Sequence, residues 1–320
     1  MHLQELLATE IKPATQGVPD WMLGYFKRYA ISFADGRTDL ETNVCWLQSR
    51  NFTLDLRLPI ATQQVTAKAW QDYTKDELLV MADYEGWEAL CDWKDDILSW
   101  RNTDTSLQLH NRWVEPGVLK RIGNCMIELS PSGAYVEDWR LQPSSPGHLV
   151  GLRLLEERVI ETGEVRHSGG GLIFCGDYAG LVLGRSQTVT ATQAYNSLRA
   201  QVVEAHGQPD KLAALFNFET SVAQGSISQG YRISMSTKPE RVGEYICPLD
   251  GFEFVDISSS EAQLIRQTLT FQGELCERIF EVDTIEQNVG YEQVTSFTPE
   301  AKTWYQREEK TLTRYSKPIF

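Results

Sequence analysis

Residues 51–59, NFTLDLRLP, alternate with a period of two: Phe52, Leu54, Leu56 and Leu58 fall on one side of an extended chain, and Thr53, Asp55 and Arg57 on the other. The same spacing returns in EDWRL, residues 137–141, where Asp138 and Arg140 share one face and Glu137, Trp139 and Leu141 the other. In a closed sheet each row points wholly inward or wholly outward. If the apolar rows line the interior, the two Asp–Arg pairs are ion pairs on the outer wall, worth ~0–1 kcal/mol each. If the polar rows line it, Arg57 and Arg140 stand in a low-dielectric pocket, where they would anchor a carboxylate or similar polar head.

Outward from this stretch the same period recurs. YAISF, NVCWLQ, WEALCDW, ILSWRN, TSLQLHNRW, CMIEL and AYVEDWRL are short and rich in aromatic and β-branched residues, and turn formers such as ADGRTD, NTDT and SPSG separate them. With FTLDLRL they make about eight strand candidates before residue 142. PSSPG at 143–147 reads as a linker, and beyond it the alternation restarts in LVGLRLLEERV, GEVRHS, GLIFCG, YAGLVLG, GSISQGYRISM, EYICPL, FEFVDI, QTLTFQG and ERIFEVD. Two helices stand out. One starts at the capping box Thr74–Glu77 and stops at Gly86; the other starts at Thr190–Gln193, carries an apolar stripe to Ala205, and stops at Gly207 and Pro209. A helix lying once per half, between strands, suggests a helix packed on or closing the end of a sheet. TPEAKTWYQREEKTL near the C-terminus fits either a helix, started at Thr298–Pro299, or, by its later alternation, an edge strand. The expected fold is all-β: two antiparallel β-barrels with a few short helices, one over residues 1–146 and one over 147–320.

WLQSRNFTLDLRLP, the helix KDELLVMADYEG before WEALCDW, and the closing AYVEDWRL together resemble, over most of residues 25–142, a group of bacterial and fungal proteins built from tandem lipocalin-like (calycin) barrels. The resemblance implies a fold rather than an activity.

Charge and motif content narrow the functions. With 44 acidic and 30 basic residues among 320, the net charge of −14 repels phosphate backbones and anionic membranes, so neither nucleic acid nor membrane is an expected partner. MHLQELLATEIKPATQ lacks a basic leader followed by an apolar core, so the expected compartment is the cytoplasm. Six cysteines without a C-x-x-C read as buried thiols, Cys125 sharing a strand face with Ile127 and Leu129. The five histidines (2, 110, 148, 167, 206) form no i,i+4 pair and read as surface or turn residues. SGGGLIF places Phe174 where a dinucleotide fingerprint needs its third glycine and reads as a hairpin turn, and QGSISQG fails the G-x-S-x-G spacing. Asp95–Asp96 and Glu308–Glu309 read as solvated turns or edges. No cofactor or metal is expected.

Eight of the nine tryptophans precede residue 142, which suits either a barrel packed with indoles or one that keeps a small-ligand cavity. The candidate ligand-binding residues are Trp46, Asp55, Arg57, Trp100, Asp138 and Arg140. The expected function is binding of a small apolar or amphipathic molecule in the first barrel. Two alternatives are a non-catalytic interaction or regulatory protein with filled barrels, and a cofactor-independent isomerase or cyclase using Asp or Arg side chains on an apolar substrate.

Overall fold

The computed structural model describes residues 1–13, 17–110, 115–193, 195–255, 263–291, 303–304 and 306–311. The chain is mostly β-strand with a few short helices. Before residue 142 run β1 (Gly24–Phe33), β2 (Thr38–Asp39), β3 (Asn43–Gln48), β4 (Phe52–Leu58), β5 (Glu85–Lys94), β6 (Ile97–Ser106), β7 (Gly117–Ile122), β8 (Cys125–Leu129) and β9 (Tyr135–Leu141). Strands β3 to β9 pair antiparallel in chain order, and β1 pairs with both β3 and β9, so eight strands close an up-and-down barrel; β2 is a two-residue flap on β1. Asp95 and Asp96, with φ of 53° and 64°, make the two-residue turn between β5 and β6. A bulge between Arg28 and Ala30 resets the alternation of β1 where it meets β9.

The second half contains β10 (Gly147–Val159), β11 (Val165–Cys175), β12 (Tyr178–Arg185), β13 (Glu219–Ser226), β14 (Gly230–Ser236), β15 (Phe252–Val255), β16 (Leu264–Phe271) and β17 (Glu274–Val289), ordered β14-β13-β12-β11-β10-β17-β16-β15. The edge strands β14 and β15 do not pair with each other. Among the described residues there is therefore one closed barrel and one open sheet, where two closed barrels were expected. Irregular backbone spans the gap. Ile233 and Ile246 N–H donate to the carbonyls of Glu244 (2.8 Å) and Tyr231 (2.9 Å), and Leu3 N–H and the Met1 amine donate to those of Leu249 and Phe252, both at 2.6 Å. Helix α1 (Leu3–Leu7) follows and buries Leu3, Leu6 and Leu7 in one cluster with Val150, Leu152, Phe174 and Ile285. The N-terminal segment, grouped by sequence with the first half, thus packs in the second.

The halves meet through the apolar row of β4. Phe52 and Leu54 press on the backbone of β11 and β12, where a Cβ on Gly171 would lie 2.7 Å from Phe52 and one on Gly180 2.9 Å from Leu47. Only glycine permits that approach. Polar contacts ring the interface: Asn51 Nδ2 donates to Asp283 at 2.8 Å, Arg50 to Glu286 at 2.7 and 2.8 Å, and Arg153 to Glu88 at 2.8 Å.

Helix α2 (Lys75–Ala82) begins at the Thr74–Glu77 box as its sequence indicates, but Gly86 lies inside β5 rather than stopping the helix. Helix α3 (Leu198–Ala205) starts later than expected because Ser197, not Thr190, caps it by accepting from Ala200 N–H. Pro209, read as a stop, instead opens α4 (Pro209–Leu215) from its first position, where the missing N–H is harmless. EYICPL is not a strand: Tyr245 makes one isolated bridge to Arg232. SGGGLIF is no hairpin turn; its glycines lie within β11 at a bulge between His167 and Gly170. Residues 303–304 and 306–311 are helical. Trp113, Ala194 and the end of FEFVDI lie outside the described residues.

Candidate functional site

The register across β3, β4 and β5 decides the orientation of LDLRL. Trp46 lies opposite Asp55 and Asp55 opposite Trp87, while Val44 lies opposite Arg57 and Arg57 opposite Glu85. With Phe52 and Leu54 turned outward onto the second sheet, this polar row faces the barrel interior. Strand β4 is buried on both faces, and its apolar side is the external one.

The interior divides into two halves. In one, Trp46 packs against Trp139 and Trp100 with ring centroids 5.1 and 5.7 Å apart, and Trp87 meets Trp100 at 6.1 Å. Trp46 Nε1 donates to Gln48 Oε1 (2.8 Å), Trp100 Nε1 to Thr53 Oγ1 (3.1 Å) and Trp139 Nε1 to Glu128 Oε2 (3.0 Å). Trp46 and Trp139 are buried and Trp87 and Trp100 half-buried, and the three bonded N–H groups make this half a packed core.

The other half holds buried charge. Arg57 donates to Asp55 through Nε (2.9 Å) and Nη2 (3.3 Å), and the two side chains are 11% and 3% exposed. Arg28, from β1, donates through Nη1 to Glu137 (2.9 Å) and through Nη2 to Asp39 (2.8 Å). Glu128 accepts from the Tyr135 hydroxyl at 3.2 Å as well as from Trp139. Burial, reinforced by neighbouring Glu137, pushes the Glu128 carboxyl well above the usual range. Burial also raises Asp55, against the opposing pull of Arg57. For Arg57 desolvation works against the charge, and Asp55, Glu137 and Glu85 more than offset it.

This charged half opens into a cavity of about 530 Å³ at the barrel mouth. Arg28, Asp39, Arg57, Asp83 and Glu85 contribute charged groups to its lining, Ile31, Phe33, Leu58, Pro59 and Val80 apolar ones, and Tyr84 follows Asp83 just after α2. Helix α2 thus helps enclose the end of the barrel, in keeping with its position between strands.

Of the six candidates, only Arg57 lines the cavity, with Asp55 holding it from behind. Trp46 and Trp100 belong to the packed half. Asp138 and Arg140 are on the outer wall: Arg140 donates to Asp138 at 2.9 Å, lies 3.9 Å from the Tyr29 ring centroid and is 42% exposed. Two pairs of identical spacing therefore lie on opposite sides of one barrel. Arg28, Asp39, Glu85, Val80 and Asp83 were not singled out by sequence. Arg28 alone had a signal, standing two residues after buried Phe26, and the bulge that follows it conceals the pattern.

Elsewhere, His167 is buried within β11 and His148 half-buried within β10, rather than at the surface or in turns, and burial lowers both to about 4. All six cysteines are free, and Cys125 is half-buried rather than buried because its face of β8 is external. The second sheet buries its own pair, Arg278 Nε donating to Glu157 at 2.6 Å beside Phe271. Among the described residues no group of three or more metal-ligating side chains gathers, and no helix is long and apolar enough to cross a membrane. Comparison with protein-family models, curated proteins and solved structures finds no match for this chain.

Proposed function

We propose that this is a lipocalin-like binding protein whose first barrel takes a small amphipathic molecule at its mouth. The observation that carries the reading is the cavity of about 530 Å³, lined by both apolar and charged residues. Its size falls among ligand pockets, which run ~300–1,000 Å³. The closed eight-stranded up-and-down architecture supports the kinship, since barrels of this strand number either fill completely or hold one small ligand. Here tryptophans fill one half of the interior, and the other half opens into the cavity.

The charged floor is built to persist without its ligand. Each arginine is clamped by carboxylates, so no unpaired cation pulls the mouth closed, and the rigid barrel fixes their positions. Uptake of the uncharged dye Nile red, followed by its fluorescence, tests the proposal. The wild type takes up dye, and Val80→Trp, which fills the cavity from α2, loses uptake while keeping its melting temperature. Equal uptake by both proteins refutes the cavity as the binding site.

A further inference from the structure

The second sheet carries a polar layer of its own, away from the mouth of the first barrel. Gln267 on β16, Arg278 on β17, Glu157 on β10 and His167 on β11 are successive cross-strand partners, so their side chains share one face of the sheet, and all four are buried. Phe271 covers the row: its ring centroid lies 5.4 Å from Cζ of Arg278, 5.2 Å from that of Arg241 and 5.3 Å from that of Arg166. Arg166 also ties Phe271 to β11 by donating to its carbonyl at 3.2 Å. Arg241 spends its donors on Glu219, Glu244 and the carbonyls of Tyr245 and Ile246. Arg278 does not: Nε donates to Glu157 Oε2 at 2.6 Å, but Nη1 and Nη2, both buried, make no hydrogen bond.

From this geometry we propose that the second half holds one small oxyanion, of the class of hydrogen carbonate, between Arg278 and Gln267. Buried donors on a charged group are costly to leave unmet, so an interior that keeps them supplies an acceptor. Glu157 cannot be that acceptor in its present place, since its remaining Oε1 makes no hydrogen bond and faces Arg166 Nε at 3.8 Å. The Nη1–Nη2 edge of Arg278 is a planar fork that matches two oxygens of a flat oxyanion. Gln267 adds the second half of the pattern. Its Nε2 donates to the carbonyls of Pro248 (2.8 Å) and Asp250 (3.2 Å), while its buried Oε1 accepts nothing. A hydroxyl on the same anion meets that oxygen, and hydrogen carbonate has one where formate and nitrate do not. Complete burial of the row beneath Phe271 restricts the occupant to a few atoms.

Sealed equilibrium dialysis of the full chain against radiolabelled hydrogen carbonate and formate, at mildly alkaline pH and fixed ionic strength, tests the proposal. One hydrogen carbonate is expected per chain, held about fivefold more tightly than formate, the worth of one added hydrogen bond. Chloride, a sphere that cannot take both arms of the fork, should displace it poorly. Arg278→Lys keeps the charge without the fork and should weaken both anions about tenfold or more. Gln267→Met should leave formate binding in place and erase the preference for hydrogen carbonate, and it decides the question alone if melting curves show that Arg278→Lys does not fold. Binding that survives Arg278→Lys unchanged, or a preference for hydrogen carbonate that survives Gln267→Met, overturns the assignment. So does a wild type that binds neither anion at millimolar concentration, which would leave water as the partner of Arg278.

Discussion

Replacing Arg57 by methionine keeps most of the apolar stem and deletes the charge that organises the polar half of the barrel. Asp55, 3% exposed, loses both of its guanidinium hydrogen bonds, and Glu137 and Glu85 lose the cation they share. Stranding a buried charge in this way costs ~3–5 kcal/mol, whereas the same change on an outer wall costs at most ~1 kcal/mol. The sign of the pH dependence follows from the carboxyl left behind. Asp55 is already raised above its unfolded value, and without Arg57 it rises further. A raised carboxyl contributes stability that is fully present below the unfolded pKa and is lost as pH rises through the folded one. The deficit of Arg57→Met should therefore be largest near neutral pH and shrink on acidification by ~1.4 kcal/mol for each unit over which Asp55 takes up its proton. Urea unfolding followed by tryptophan fluorescence reads this directly, since Trp46, Trp100 and Trp139 all report on the first barrel. A deficit below ~1 kcal/mol at neutral pH, the same at pH 5, would refute the interior placement of LDLRL.

Glu128→Gln removes a second raised carboxyl of the barrel interior. Relative to the variant, the wild type should lose stability steadily as pH rises from about 4.5 toward neutrality, and a difference constant with pH would contradict a raised Glu128. Gly171→Ala forces a Cβ to 2.7 Å from Phe52 and should destabilise by ~1–3 kcal/mol; Phe52→Leu in the same chain should recover part of the loss, and purely additive effects would argue against contact. Toward Ellman's reagent half-buried Cys125 should react in the folded protein. Cys45 and Cys91, pushed up to about 12 by burial, should react only after unfolding, and early reaction of either would contradict the packing.

The strands were legible because alternation is a local property of the chain; which side of a strand faces inward is not. Residues 52–58 show an apolar and a polar row, and the usual inference puts the apolar row inside. That inference assumes water on the other side. For β4 the other side is the second sheet, which excludes water as completely as a barrel interior does, so the polar row was free to turn inward, provided its charges found partners there. On β9 water does lie outside, and the same spacing puts Asp138 and Arg140 in it. The cue that separates them lies more than a hundred residues away, in the glycines of β11 and β12 that let Phe52, Leu54 and Leu47 approach. The helix plugging the second sheet escaped for a similar reason: Leu3, Leu6 and Leu7 mark an apolar face, but only the open edge at β15 explains where that face goes.

The position of the cavity follows from the same division of labour. Indoles can fill a barrel to crystal-like density because each needs a single acceptor, and Gln48, Thr53 and Glu128 supply those acceptors within the packed half. Guanidinium–carboxylate pairs are less compliant, since each fork demands a fixed plane and separation. A layer built from Arg28, Arg57 and their carboxylates holds its shape and cannot collapse onto the last turn of the barrel. If the buried charges, costly in themselves, are what keeps the mouth open, exchanging them together for leucine and methionine should raise thermal stability while abolishing dye uptake. If such a repacked barrel still took up Nile red, the charges would not be what maintains the cavity.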